Sequence, residues 1–308
     1  MLNNWLESPL WKWLKSHWCA KRFFEKSVSL AEIITLLLEK ILFYDIDQRA
    51  AAVAYNFTLA VFPATLFFFT LIPYAPIPQL DVQIMTFLHD VIPKPLYEFA
   101  AATIYDIVSR RQGGILSFGF ILALITSTSG MGALMTAFNM ANQTVKKRGY
   151  FRTRATSLLL TLMLSVVLVL AILVIIVAGL LIGFLKDTVF LADESTIFLL
   201  GFLRYGVMFC TFLVAVSIIY RFAPSLKHGW RFFNFGAVVA SFLIILATYG
   251  FSVYLSQFAS YNKLYGSIGT IIALMIWFYL VALLLIFGFE LNVSIWKVKY
   301  QYRQERKK

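Results

Sequence analysis

The sequence predicts an all-α polytopic membrane protein with six transmembrane helices, and three observations predict it. Hydrophobic residues make up 60% of the 308-residue chain and charged residues only 14%, against about 25% charged in soluble domains. The apolar residues fall in six continuous runs, 50–72, 115–139, 157–185, 198–220, 234–258 and 264–292, each reaching the roughly 20 residues a helix needs to cross the hydrocarbon. The segments between these runs differ in basic charge. Seven Lys and Arg precede the first run, five lie in 140–156, three in 221–233 and six follow 292, whereas 73–114 holds three and 186–197 and 259–263 one each. The positive-inside bias then places both termini on the cytoplasmic side. Helices are expected rather than barrel strands because the runs do not alternate, and a helix satisfies its backbone within its own segment.

Residues 1–49 form an expected cytoplasmic segment. Its first 26 residues interleave Trp5, Trp11, Trp13 and Trp18 with Lys12, Lys15, Lys21, Arg22 and Lys26, a pattern unlike a cleavable signal. Leu30, Ile33, Ile34, Leu37, Leu38, Ile41 and Leu42 then recur at helical spacing, with Glu32, Thr35, Glu39 and Lys40 assigned to the other face. This describes an amphipathic helix that either lies along the membrane surface or packs on the cytoplasmic ends of the bundle.

Residues 50–292 make one six-helix membrane domain. Its only long connection, 73–114, is punctuated by Pro73, Pro76, Pro78, Pro93 and Pro95 and by Gly113 and Gly114. Two apolar faces between these marks predict a pair of short helices on the outer side, over about 80–111. Residues 293–308 form a basic cytoplasmic tail. The net charge of +12 points to anionic lipid headgroups at the cytoplasmic face. Nucleic acid is not expected as a partner, because the basic residues are split among short segments instead of lining one groove.

Ionisable groups at membrane depth are costly and draw functional hypotheses. Three stand out: Arg49 at the mouth of the first span, Arg204 in the fourth and Glu290 near the end of the sixth. Arg49 and Glu290 share one depth and are candidates for an ion pair tying the first and last helices, for a contact with a substrate headgroup, or for snorkelling to the interface. Arg204 is expected to snorkel to the outer interface. In the second span Ser127 and Ser129, within Thr126 to Gly132, either allow close helix packing or line a polar path. Asn139, at the cytoplasmic end of that helix, fits either picture. Tyr265, opening the sixth span, is a candidate for a packed corner or an outer gate, and Asn292 follows Glu290 on the same helix.

No catalytic or metal-binding residues and no cofactor are expected, so the chain is not read as an enzyme. His17, His89 and His228 are isolated from one another, no G-x-S-x-G or H-E-x-x-H pattern occurs, and Glu290 is the sole acidic residue in the six runs. No nucleotide-binding loop is present either, so active transport would draw on an ion gradient or a partner.

Several motifs resemble the YihY/BrkB family of bacterial inner-membrane proteins. They begin with Asp45, Arg49, Ala50-Ala51-Ala52-Val53-Ala54-Tyr55, and continue with Gly132-Ala133-Leu134 through Asn139 ahead of a basic loop. Tyr220-Arg221-Phe222-Ala223-Pro224 and Gly236-Ala237 follow, then Tyr265-Gly266-Ser267-Ile268-Gly269, Trp277 and Gly288-Phe289-Glu290-Leu291-Asn292. The likeness covers roughly 35–295, with Phe289 standing where the family more usually has a small residue. It implies a six-span inner-membrane protein without an established reaction. Members have carried the label ribonuclease BN or names for serum resistance, or have been tied to lipid and lipopolysaccharide export. The expected function is translocation or handling of a lipid or lipid-linked envelope substrate, such as a lipopolysaccharide precursor. The alternative is a non-transporting scaffold for envelope assembly.

Overall fold

The computed structural model describes residues 22–24, 28–29, 33, 35–37, 40, 45–74, 82, 85–86, 105, 113–141, 148–188, 194–225, 231–257 and 259–305. Six long helices dominate it: α1 (Ile46–Leu71), α2 (Gly113–Ala141), α3 (Tyr150–Thr188), α4 (Glu194–Phe222), α5 (Phe235–Gln257) and α6 (Ala259–Glu305). Within α1, α2, α3, α5 and α6 the described residues are long and apolar enough to cross a membrane, and α4 contributes a shorter apolar stretch, Gly206–Phe222. The protein is an all-α polytopic membrane protein. One small departure lies near the N-terminus, where β1 (Arg22–Phe24) pairs antiparallel with β2 (Val28–Ser29). Of the helical pair expected over 80–111, Val82, Met85, Thr86 and Tyr105 are helical, and the rest lies outside the described residues.

The helices follow one another around a ring. α1 packs on α2 and α6, α3 on α2 and α4, and α5 on α4 and α6, while α6 also touches α2. Among the described residues, the buried ones gather toward one end, the end that carries Ile46, Ala141, Tyr150, Phe222 and Phe235. There Phe138, Tyr220 and Phe289, from α2, α4 and α6, are buried together. Phe138 stacks on Phe289 with centroids 4.4 Å apart, and Tyr220 meets both rings edge-on. The Tyr220 hydroxyl donates to the Leu285 carbonyl at 2.7 Å, so the ring is buried with its polar tip satisfied. Phe289 therefore fills the junction of three helices.

Packing differs along the bundle. On α5, Ala237, Ala240, Ser241 and Ile244 are buried, whereas Leu246, Tyr249, Val253, Tyr254 and Leu255 farther along are exposed. α6 repeats the contrast, with Ala282 to Ser294 largely buried and Ile271, Ile272, Met275 and Ile276 open. On α3, Ser157 and Leu160 are buried, and Leu162, Val166 and Leu168 to Leu170 are exposed. α1 and α2 stay in contact farther along, through Phe67 and Phe120 at 5.4 Å and through Gly119 against the Phe67 backbone.

Sequence explains how closely the tight end is packed. A side chain at Gly288 would sit 2.6 Å from the Tyr220 hydroxyl and 2.7 Å from both the Ala240 Cβ and the Gly236 carbonyl oxygen. One at Gly236 would overlap the Gly288 carbonyl and the Asn292 amide. Small residues thus let α5 and α6 approach backbone to backbone, the means by which helices associate without a hydrophobic driving force in lipid. Gly288→Ala is expected to force the two helices apart, costing about 1–3 kcal/mol. Gly250→Ala, with nothing within 4 Å of the added carbon, is expected to be silent. Thermal unfolding of the detergent-solubilised protein compares the two, and equal melting temperatures would contradict the packing account.

Candidate functional site

The tight end is built around one carboxylate. Glu290 on α6 is 1% exposed. Its Oε1 accepts from Arg49 Nη2 at 3.2 Å and Nη1 at 3.3 Å, and its Oε2 accepts from Lys40 Nζ. Arg49 Nη1 also donates to the Ala137 carbonyl of α2 at 3.0 Å. One cluster therefore joins the N-terminal segment, α1, α2 and α6.

Local structure brings these groups together. Residues 33, 35–37 and 40 are helical, and Ile33 and Leu37 are buried against Leu291 and Val298 of α6. Of the two placements open for this segment, its described residues pack on the bundle. Lys40, assigned from sequence to the exposed face, is instead 5% exposed. The spacing 33, 37, 40 follows i, i+4, i+7, which puts Lys40 on the apolar face. Asp45 then takes a left-handed backbone, φ 46°, which Asp tolerates better than most residues. Its carbonyl receives the Arg49 amide at 3.1 Å, starting α1 with Arg49 one turn in. Burial lowers the pKa of the Lys40 ammonium below its ordinary value, and Glu290 opposes that shift.

Further polar stitches close the same end. Asn292 Oδ1 accepts from the Gly236 amide at 2.8 Å, and its Nδ2 donates to Asn234 Oδ1. That same Asn234 oxygen caps α5 by accepting from the Ala237 amide at 2.9 Å, so two asparagines satisfy a helix start that would otherwise bury free N–H groups. Asn139 Oδ1 accepts from the Ser225 amide at 2.9 Å. The Arg148 guanidinium donates to the carbonyls of Phe222, Ala223 and Pro224, a cationic cap at the negative end of α4. Burial, with Arg152 nearby, lowers the Arg148 pKa from its ordinary value.

The remaining candidates divide. Ser129 donates to the Ile125 carbonyl at 2.9 Å and accepts from Arg154 Nη1 at 3.0 Å. Ser127 is half-buried on α2 and does not join the Glu290 cluster. Tyr265 lies within α6, and its side chain, like that of Arg204 in α4, falls outside the described residues. Sequence reasoning does not single out Lys40, Arg154, Arg148 or Asn234. Arg154 escapes it because α3 starts at Tyr150 rather than 157, which moves this arginine from a loop into a helix. Among the described residues no group of three or more His, Cys, Asp or Glu could hold a metal ion.

Removing different members of the cluster leaves different charges. Glu290→Gln strands two buried cations and is expected to cost about 3–5 kcal/mol. Lys40→Met leaves the Arg49–Glu290 pair intact and is expected to cost distinctly less. Melting temperatures of the two variants check the order; a Lys40→Met protein less stable than Glu290→Gln would contradict it.

The family model described as virulence factor BrkB matches residues 37–308. The putative ribonuclease-like protein YfkH of Bacillus subtilis (strain 168) is 34% identical over 253 residues, covering 82% of this chain and 91% of that relative. A UPF0761 membrane protein of Stenotrophomonas maltophilia is 26% identical over 258 residues, covering 82% of this chain and 58% of its own. The UPF0761 membrane protein IL2447 of Idiomarina loihiensis is 33% identical over 117 residues, 38% of this chain and 40% of its own. No solved structure matches.

Proposed function

The chain belongs to the virulence factor BrkB family of membrane proteins, and on that premise we propose that it handles a lipid or lipid-linked envelope substrate in the bacterial inner membrane. Its tight end faces the cytoplasm in this reading, because the segments at that end, 140–156, 221–233 and the stretch after 292, are the ones dense in Lys and Arg. The observation that carries the proposal is the uneven packing. Beyond the tight end the described parts of α3, α5 and α6 leave apolar side chains unburied, among them Val166, Leu246, Tyr254 and Ile272. Among the described residues, dense packing near one headgroup layer and open apolar side chains beyond it give acyl chains surface to lie against. The energy source in this reading is an ion gradient or a partner protein.

The ribonuclease-like name of the Bacillus relative belongs to that protein. Metal-dependent RNA hydrolysis requires clustered ligands, and the three histidines of this chain are scattered along it, so the reading is non-enzymatic. A scaffold for envelope assembly is the second reading. One observation favours it at the Glu290 cluster: Arg49, Lys40 and Glu290 bond to one another and to Ala137, as helix-tying groups would. In the transport reading the same groups are candidates for a substrate-headgroup contact as well as for tying the helices.

The test is transbilayer movement of headgroup-labelled phospholipids and lipid A precursors in proteoliposomes holding the full-length protein, with and without an imposed ion gradient. The expected result is movement several-fold above protein-free liposomes. Movement equal to that of protein-free liposomes, from folded protein under a gradient, would turn the reading to the scaffold.

A further inference from the structure

Arginine side chains near a membrane surface normally extend toward the nearer headgroups. Arg154 does the reverse. It is the fifth residue of α3, just after Tyr150 and Phe151, two exposed rings packed edge-on at 5.7 Å that suit the headgroup layer. From there its guanidinium reaches inward along α2, donating from Nη1 to Ser129 Oγ and from Nη2 to the Ile125 carbonyl, both at 3.0 Å.

Both partners fall within the membrane span of α2, whichever part of that helix crosses the hydrocarbon. α2 runs from Gly113 to Ala141, and any stretch of about 20 residues chosen from it to span the hydrocarbon contains both Ile125 and Ser129. Arg154 is half-buried, and its bond to the exposed Ile125 is itself exposed, so the cationic head is not sealed between α2 and α3. Its two described contacts are neutral, a hydroxyl and a carbonyl. The ion pairs found among the described residues both belong to Glu290. A guanidinium has five N–H donors, and these contacts use two.

A guanidinium inside a membrane span pairs with carbonyls, water or an anion, and the donors Arg154 leaves unused suit an anion. We propose that Arg154, positioned by Ser129 and the Ile125 carbonyl, binds the phosphate of a net-negative phospholipid at the seam of α2 and α3. Guanidinium geometry matches phosphate oxygens in pairs. The acyl chains then lie along the exposed apolar side chains flanking the seam, Ile121 and Ile125 on α2 and Leu159, Leu162 and Val166 on α3. This assignment rests on the lipid-handling reading and names the chemistry its substrate must present.

The probe is fluorescent phosphatidic acid titrated into the full-length protein in neutral detergent, with inorganic phosphate and phosphatidylcholine as competitors. Saturable binding is expected to weaken about tenfold to a hundredfold in Arg154→Gln, the worth of one or two charge-assisted hydrogen bonds. Arg152→Gln, at an exposed position, is expected to bind as the wild type does. Neither competitor should displace the probe at equal concentration. Unchanged affinity in a folded Arg154→Gln protein overturns the proposal, and displacement by inorganic phosphate overturns its lipid part. Should Arg154→Gln fail to fold, a photoactivatable phosphatidic acid on the wild-type protein decides: adducts within 121–129 and 154–166 support the site, and adducts confined to other helices overturn it. Proteoliposome translocation by the same variant separates the two claims. Translocation that survives Arg154→Gln together with unchanged binding rejects the site and keeps the function, whereas Arg154-dependent binding in a protein that moves no lipid keeps the site and rejects the function.

Discussion

The rest of the structure depends on the Glu290 carboxylate. It is buried where water cannot solvate it, and it is tolerated there because two cations and their attached helices converge on it. Desolvating three charged groups is expensive, and the net gain of such a cluster over apolar packing is small. Its value is geometric. Arg49 bonds both Glu290 and the Ala137 carbonyl, so α1 can sit against α2 and α6 in only one register. Lys40 adds the N-terminal segment to the same point. In lipid, where apolar helices gain little by meeting one another, directional polar contacts of this kind decide which helices pair.

The polar stitches found among the described residues cluster at one end. Asn292 with Asn234, Asn139 with Ser225, and Arg148 with the last carbonyls of α4 all join elements there. Glycine contacts between α5 and α6 lie at the same level. Toward the other end the described helices rely on apolar side chains, which exchange helix neighbours for lipid at little cost. Among the described residues, this difference in bonding, rather than in hydrophobicity, distinguishes the tight end from the rest. It is the physical basis for reading the protein as closed toward one headgroup layer. Arg154 stands apart because its polar partners, Ser129 and the Ile125 carbonyl, lie along α2 away from the cluster at Glu290.

Much of this is legible in the sequence, and the gaps have physical causes. Five of the six runs appear as membrane-length helices and the sixth as part of α4, because length and hydropathy alone set that property. The ends are less legible. α3 begins seven residues before its apolar run, since Arg152 and Arg154 lower hydropathy without breaking the helix. Depth on α1 and α6 singles out Arg49 and Glu290 together. Lys40 is lost when its charge is weighed above its i+7 spacing from Ile33. Asn292 stands out without a partner, because the Asn234 oxygen and the Gly236 amide it meets are brought close only by the crossing of α5 and α6. Phe289, unusual for its family resemblance, is the ring on which Phe138 stacks, a pairing that no spacing rule announces.

That Glu290 holds the tight end together is tested most directly by electron spin resonance distances in lipid nanodiscs. Spin labels at Met140 on α2 and Trp296 on α6, both exposed, would report on that end once Cys19 and Cys210 are replaced by serine. A narrow distance distribution is expected in otherwise native protein, and it should broaden when Glu290→Gln is added. A distribution that stays equally narrow in the Glu290→Gln protein would contradict the role given to this carboxylate.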